Sequence, residues 1–193
     1  MKQVATAAVV VLFLTAATVM AECRETVMID STEYTVPSWW CGHKIDSANL
    51  AEPSTLRRLP PQLCYEDFRI YVRPDTKAAL VKMAERARRD SIDLIAKSGF
   101  RSPSYQKTII KRRLAKGATF EEITRLVAPP GYSEHHTGRA VDLVTSAGSF
   151  AESDVYRWLK THAAEFNFIE SFPDDSAGDR HWEPWHWYHA PPE

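Results

Sequence analysis

The sequence predicts an α+β fold whose strands form a small, largely antiparallel sheet. Three observations lead there. Two stretches of helical period fill the middle of the chain, over roughly 75–89 and 103–117. Short alternating segments cluster late, in RAVDLV, FIESF and WHWYH, and read as strands. Strict strand–helix–strand alternation is absent, which argues against a parallel doubly wound sheet.

The ends of the chain bound the domain. Lys2 followed by the apolar run 4–21, closing on Val19-Met20-Ala21, has the form of an export leader cut after Ala21. An uncleaved anchor is the alternative, but the run is short and rich in small residues for a membrane span. The remainder suits one globular unit: an N-terminal wrap over 22–67 and a catalytic domain over 68–193. With 24 Lys+Arg against 25 Asp+Glu and no basic stripe, nucleic acid is not an expected partner. A monomer without stable membrane insertion after leader cleavage is expected. Three cysteines, Cys23, Cys41 and Cys64, lie in the first third. Export favours disulfides, and the expected pair is Cys41 with Cys64, Cys23 being free or pairing instead. An oxidising compartment works against a thiolate metal site at Cys41, His43 and Cys64.

Taken in order, ETVMID and EYTVP carry β-branched residues and predict short strands. Residues 38–64 are broken by Pro, Gly and Ser and show no lasting period. FRIYVRP alternates Phe68, Ile70 and Val72 against Arg69, Tyr71 and Arg73, a half-buried strand ending at Pro74. Asp75 or Thr76 is placed to cap a helix whose inner face is Leu80, Met83, Ala84 and Ala87. SIDLIAKSGF predicts a strand running into a glycine turn. Pro103 starts the next helix, which stops near Gly117. Thr119 with Glu121-Glu122 predicts a capped short helix to about Val127, before Pro129-Pro130-Gly131. After the RAVDLV strand, Ser153 caps a helix with Trp158, Leu159, Ala163 and Phe166 inward. Asn167 stands where a left-handed residue is often needed. FIESF, the loop SFPDDSAGDR and WHWYH complete the chain.

Chemistry concentrates in SEHHTGRAVD, residues 133–142, and HWEPWHW, residues 181–187. His135, Asp142 and His186 offer two imidazoles and a carboxylate, a donor set suited to zinc with a fourth position open. Asp142 falls within an apolar strand pattern, where a buried carboxylate needs a cation or hydrogen bonds. Glu183 is a spare carboxylate three residues from His186, and Pro184 between them allows a kink that brings both to one side. Spacing alone does not choose between these histidines and His136, His181 or His189. A backbone-satisfied Asp142 and a surface Glu183 are the plain alternatives.

SEHHTGRAVD fits the pattern Ser-x-His-x-x-Gly-x-Ala-x-Asp, EPWHW fits Glu-x-x-His, and SGFRSPSYQ at 98–106 adds a third block in the same order. Together they resemble the zinc D,D-carboxypeptidases of the VanY type, relatives of the D-Ala-D-Ala dipeptidases of vancomycin resistance, over roughly 68–189. The resemblance implies the small α+β fold shared with the Hedgehog signalling domain. It implies one zinc ion held by His135, Asp142 and His186, with Glu183 as general base and Arg101 facing the scissile carbonyl. Gln106 and Ser133 resemble residues that hold the terminal carboxylate of the substrate. The implied activity is removal of the terminal D-Ala from peptidoglycan stem peptides, in the periplasm or outside the cell. An L,D-carboxypeptidase, a wall endopeptidase and a zinc-holding binding module are the alternatives; retention of Glu183 and Arg101 argues against the last. The sequence departs from the family pattern at Phe100, where Tyr is common, His136 (Gln), Asn167 (Gly) and Tyr188 (a basic residue). His136 is expected at the pocket rim.

Overall fold

The computed structural model describes residues 23–146, 148–174 and 181–191. The expected leader at 1–21 lies outside them, as does most of the loop after Phe172. No helix among the described residues is long and apolar enough to cross a membrane.

Strands β1 (Thr26–Ile29) and β2 (Thr32–Thr35) form an antiparallel hairpin. The expected strand at 68–74 shrinks to β4 (Tyr71–Val72), paired with β3 (Arg57–Arg58). Ile70 and Val72 point inward as expected, but Phe68 is 42 % exposed. Its amide closes a turn onto the Tyr65 carbonyl, so residue 68 precedes the pleat that the alternation assumed. Helix α1 (Pro74–Arg89) opens on Pro74 itself, not on a cap at Asp75 or Thr76. Proline needs no amide partner at a first helical position, and Asp75 instead takes the Thr76 amide within the first turn. Leu80, Met83, Ala84 and Ala87 are all buried.

Strand β5 (Ile95–Ser98) leads to α2 (Pro103–Leu114), whose cap is the Ser102 hydroxyl. Helix α3 (Phe120–Thr124) begins with a reciprocal capping box between Thr119 and Glu122. After β6 (Ala140–Val144), the Ser153 hydroxyl caps α4 (Asp154–His162). A 3₁₀ turn over Ala163–Phe166 ends at Asn167 with φ 59°, a conformation that Asn tolerates. Strands β7 (Phe168–Glu170) and β8 (His186–His189) follow.

The main sheet runs β5-β6-β8-β7 and every neighbouring pair is antiparallel. Two apolar clusters flank it. One joins α1, the sheet and α4 with Leu59, Leu63 and Cys64. The other joins the β1–β2 hairpin and Trp40 to Ile110, Phe120, Ile123 and Phe172. The segment between them threads across the molecule on single backbone bonds: Ile45 to Gly131, Ala51 to His136, Leu59 to Ile70 and Tyr65 to Ala96.

The disulfide joins Cys23 to Cys41, and Cys64 is a free, buried thiol, so the expected Cys41–Cys64 pair is corrected. The reason lies in the two clusters. Cys41 follows Trp40 beside the hairpin, whereas Cys64 packs in the other core and bridges Ala96 at the sheet.

Candidate metal centre

Two of the predicted ligands are fixed by sheet register. Asp142 on β6 lies opposite His186 on β8, and on its other side opposite Ser98 of β5. Side chains directly across an antiparallel ladder share a face at about 5 Å. The third, His135, comes from a 3₁₀ turn over Glu134–Thr137 that stops at Gly138. Gly138 has φ 69°, and a Cβ there would stand 2.9 Å from Leu56. Only glycine lets this turn close against the wrap and double back into β6.

Hydrogen bonds then aim the rings. His135 Nδ1 meets the Gly99 carbonyl at 2.6 Å. Gly99 is required for that approach, since a Cβ would lie 2.7 Å from the Tyr71 carbonyl oxygen. With Nδ1 donating, Nε2 of His135 turns its lone pair to Asp142 Oδ1, 3.1 Å away. His186 places Nε2 2.9 Å from Glu134 Oε2 and Nδ1 3.0 Å from the same Asp142 oxygen. One donor atom from each of the three residues lies within 4.8 Å of the others. A carboxylate or carbonyl behind each metal-binding imidazole is the usual outer support of a zinc site. The nitrogen–nitrogen–oxygen set therefore fits zinc. The other cluster of this kind among the described residues, at Cys23, Glu25 and Cys41, has both cysteines tied in the disulfide.

Electrostatics separate the two imidazoles. Burial, reinforced by the Arg101 charge, pushes His135 down to about 4. Burial also opposes charge on His186, but Asp142 and Glu134 outweigh it and carry that ring up to about 10. Burial works against the Asp142 carboxylate too, yet His135 and His186 hold it well below the usual carboxylate range.

Glu183 sits just before β8. The His186 amide closes a turn onto its carbonyl, and the kink at Pro184 brings its Oε2 to 4.0 Å from His186 Nδ1. Burial pushes Glu183 up to about 7. Arg101 binds Asp142 Oδ2 through Nη2 at 2.6 Å and Ser98 Oγ through Nε. A cavity of about 250 Å³ collects Arg101, Gln106, Ser133 and Glu183 with the three predicted ligands. Gln106 is buried, its Nε2 held by the Ala128 carbonyl and its Oε1 without a partner among the described residues. Ser133 is buried at the mouth of the 3₁₀ turn.

Two residues, Glu134 and Arg113, escaped the sequence reading. Glu134 supports His186 from beside His135, and its only signal was a carboxylate next to that histidine. Arg113, two turns along α2 from Gln106, lines the same cavity. His136 is fully buried rather than at the rim. It joins the Arg101 carbonyl through Nδ1 to the Gly131 amide through Nε2.

Residues 69–192 match the family described as VanY: D-alanyl-D-alanine carboxypeptidase. The chain is 30 % identical over 146 residues to a Bacillus subtilis protein, putative carboxypeptidase YodJ, covering 70 % of this chain and 53 % of that one. It spans about half the length of the curated relatives it matches. Among solved structures, the LdcB LD-carboxypeptidase matches with TM-score 0.64 and 28 % identity, covering 73 % of this chain and 70 % of LdcB. A vancomycin-resistance D,D-pentapeptidase VanY variant in complex with Zn(II) matches with TM-score 0.53 and 29 % identity, covering 69 % and 83 %.

Proposed function

The chain belongs to the VanY family of D-alanyl-D-alanine carboxypeptidases, and on that premise we propose that it is an exported, zinc-dependent D,D-carboxypeptidase. It removes the terminal D-Ala from peptidoglycan stem peptides. One observation carries the reading: the second nitrogen of each imidazole is tied back by Gly99 or Glu134, so that both rings converge with Asp142 Oδ1 beside the buried carboxylate of Glu183.

His135, Asp142 and His186 would hold the ion. When bound, zinc would supply Lewis acidity and lower the pKa of a water held there to about 7. Glu183, buried beside His186, takes a proton from the attacking water and delivers it to the departing amine. Arg101 presents its guanidinium to the oxygen that becomes negative. Gln106 and Ser133, with Arg113 across the same cavity, hold the terminal carboxylate. A pocket of that size takes one small residue and suits an exopeptidase.

The test is release of D-Ala from a pentapeptide ending in D-Ala-D-Ala, with the chain residues 22–193 purified. Release that stops with a chelator, returns with zinc and is absent in Glu183→Ala supports the reading; zinc-replete protein that releases nothing overturns it. The match to LdcB favours a second reading, an L,D-carboxypeptidase. It predicts release of D-Ala from a tetrapeptide stem in the same assay.

A further inference from the structure

Beside the small cavity lies a larger groove of about 1000 Å³, and the two share Arg101, Ile109, Asp142 and Trp185. The reacting centre therefore stands at their junction. The small cavity accommodates the departing residue, so the groove is left for the part of the substrate that is retained.

The walls of the groove have a definite chemistry. Phe68, Ile70, Tyr71, Phe150 and Trp185 give it an apolar floor, and Phe68 and Tyr71 are each 42 % exposed. Its charged lining is Arg69, Lys97, Arg101 and Asp142. Arg101 and Asp142 neutralise each other at 2.6 Å. Arg69 makes no ion pair among the described residues, and Lys97 only lies over the Tyr65 ring at 5.6 Å. The backbone brings these two cations to one wall: the Phe100 amide bonds the Tyr71 carbonyl, so 69–72 runs beside 97–100. Among the described residues, no second carboxylate lines the groove to answer them.

We propose that this groove is a specificity subsite for an acidic peptide, in which Arg69 and Lys97 receive a free carboxylate on the retained side of the scissile bond. This rests on the carboxypeptidase reading for its orientation. The enzyme distinguishes stems whose backbone carboxylates are free from stems in which they are amidated. The apolar floor holds the alkyl portion of the same segment. Exposed charge pairs contribute modestly each, and two acting together give a preference of about tenfold.

Two pentapeptides ending in D-Ala-D-Ala, identical except for a free or an amidated carboxyl at the second residue, test the idea. Binding to Glu183→Ala and turnover by the unmodified chain are both measured, at low and high salt. The expected result is about tenfold tighter binding and lower KM for the acidic peptide, shrinking with salt. In the double variant Arg69→Gln, Lys97→Gln the ratio falls to about one, with the thermal unfolding midpoint unchanged as the check on folding. Equal handling of both peptides by the unmodified chain, or a preference that survives in the double variant, overturns the proposal. Acid-selective binding with no D-Ala released from either peptide sinks the carboxypeptidase reading and leaves the groove standing; release from both alike sinks the groove alone.

Discussion

The antiparallel sheet and the N-terminal wrap solve the same problem in opposite ways. The sheet satisfies its backbone strand against strand, so register alone sets Asp142 across from His186. Beyond the β1–β2 hairpin and the short β3, the wrap has little regular structure of its own. It borrows partners one at a time from Gly131, His136, Ile70 and Ala96, and its Trp40 indole donates to the Thr124 carbonyl at 2.8 Å. The sheet positions the chemistry, and the wrap braces the turns that present it. Gly138, wedged against Leu56 and Ala51, is where the two meet.

That division can be broken, beginning where the effect is largest. Glu183→Ala belongs to the sheet side: turnover falls about 10²–10⁴-fold while bound metal and unfolding midpoint stay near those of the unmodified chain. A matching loss of stability would show that Glu183 braces rather than reacts. Trp40→Ala belongs to the wrap side and costs about 3–5 kcal/mol in urea unfolding. An unchanged urea midpoint would show the wrap to be decoration. Replacing Cys23 by Ser opens a link between residues 18 apart and lowers stability by about 3 kcal/mol, which calorimetry with and without reductant measures.

Glu134→Gln sharpens the comparison, because it leaves the fold alone and touches only the support behind His186. Zinc affinity, read by competition with a chromophoric chelator, falls about 10–100-fold. The smallest effect is at Asp75, which pairs with Arg139 at 2.8 Å. Partial burial works against this carboxylate, but the Thr76 amide and Arg139 outweigh it and hold it below the ordinary range. Its contribution is present above the unfolded carboxylate pKa and disappears as pH falls through the lower folded value. Being well exposed, it is worth under about 1 kcal/mol. Asp75→Asn therefore flattens slightly the acid limb of the stability profile.

The same contrast explains what the sequence made legible. Periodic segments announced themselves: Leu80, Met83, Ala84 and Ala87 recur at helical spacing, Ser153 and Thr119 cap where expected, and Asn167 takes the left-handed turn. The donor trio was readable because two short motifs carried it. The wrap was opaque because no period governs single long-range bonds. Cysteine pairing failed for that reason, since which thiols meet depends on which cluster each enters. Glu134 stayed hidden for another: neighbours in sequence gave no hint that one 3₁₀ turn would present His135 and also support His186 from the opposite strand.

Asp142 divides its carboxylate between two tasks, Oδ1 turned to the histidines and Oδ2 to Arg101. A change at Asp142 therefore disturbs the imidazole pair and the guanidinium together, because one carboxylate is the only link between them in this chain of contacts.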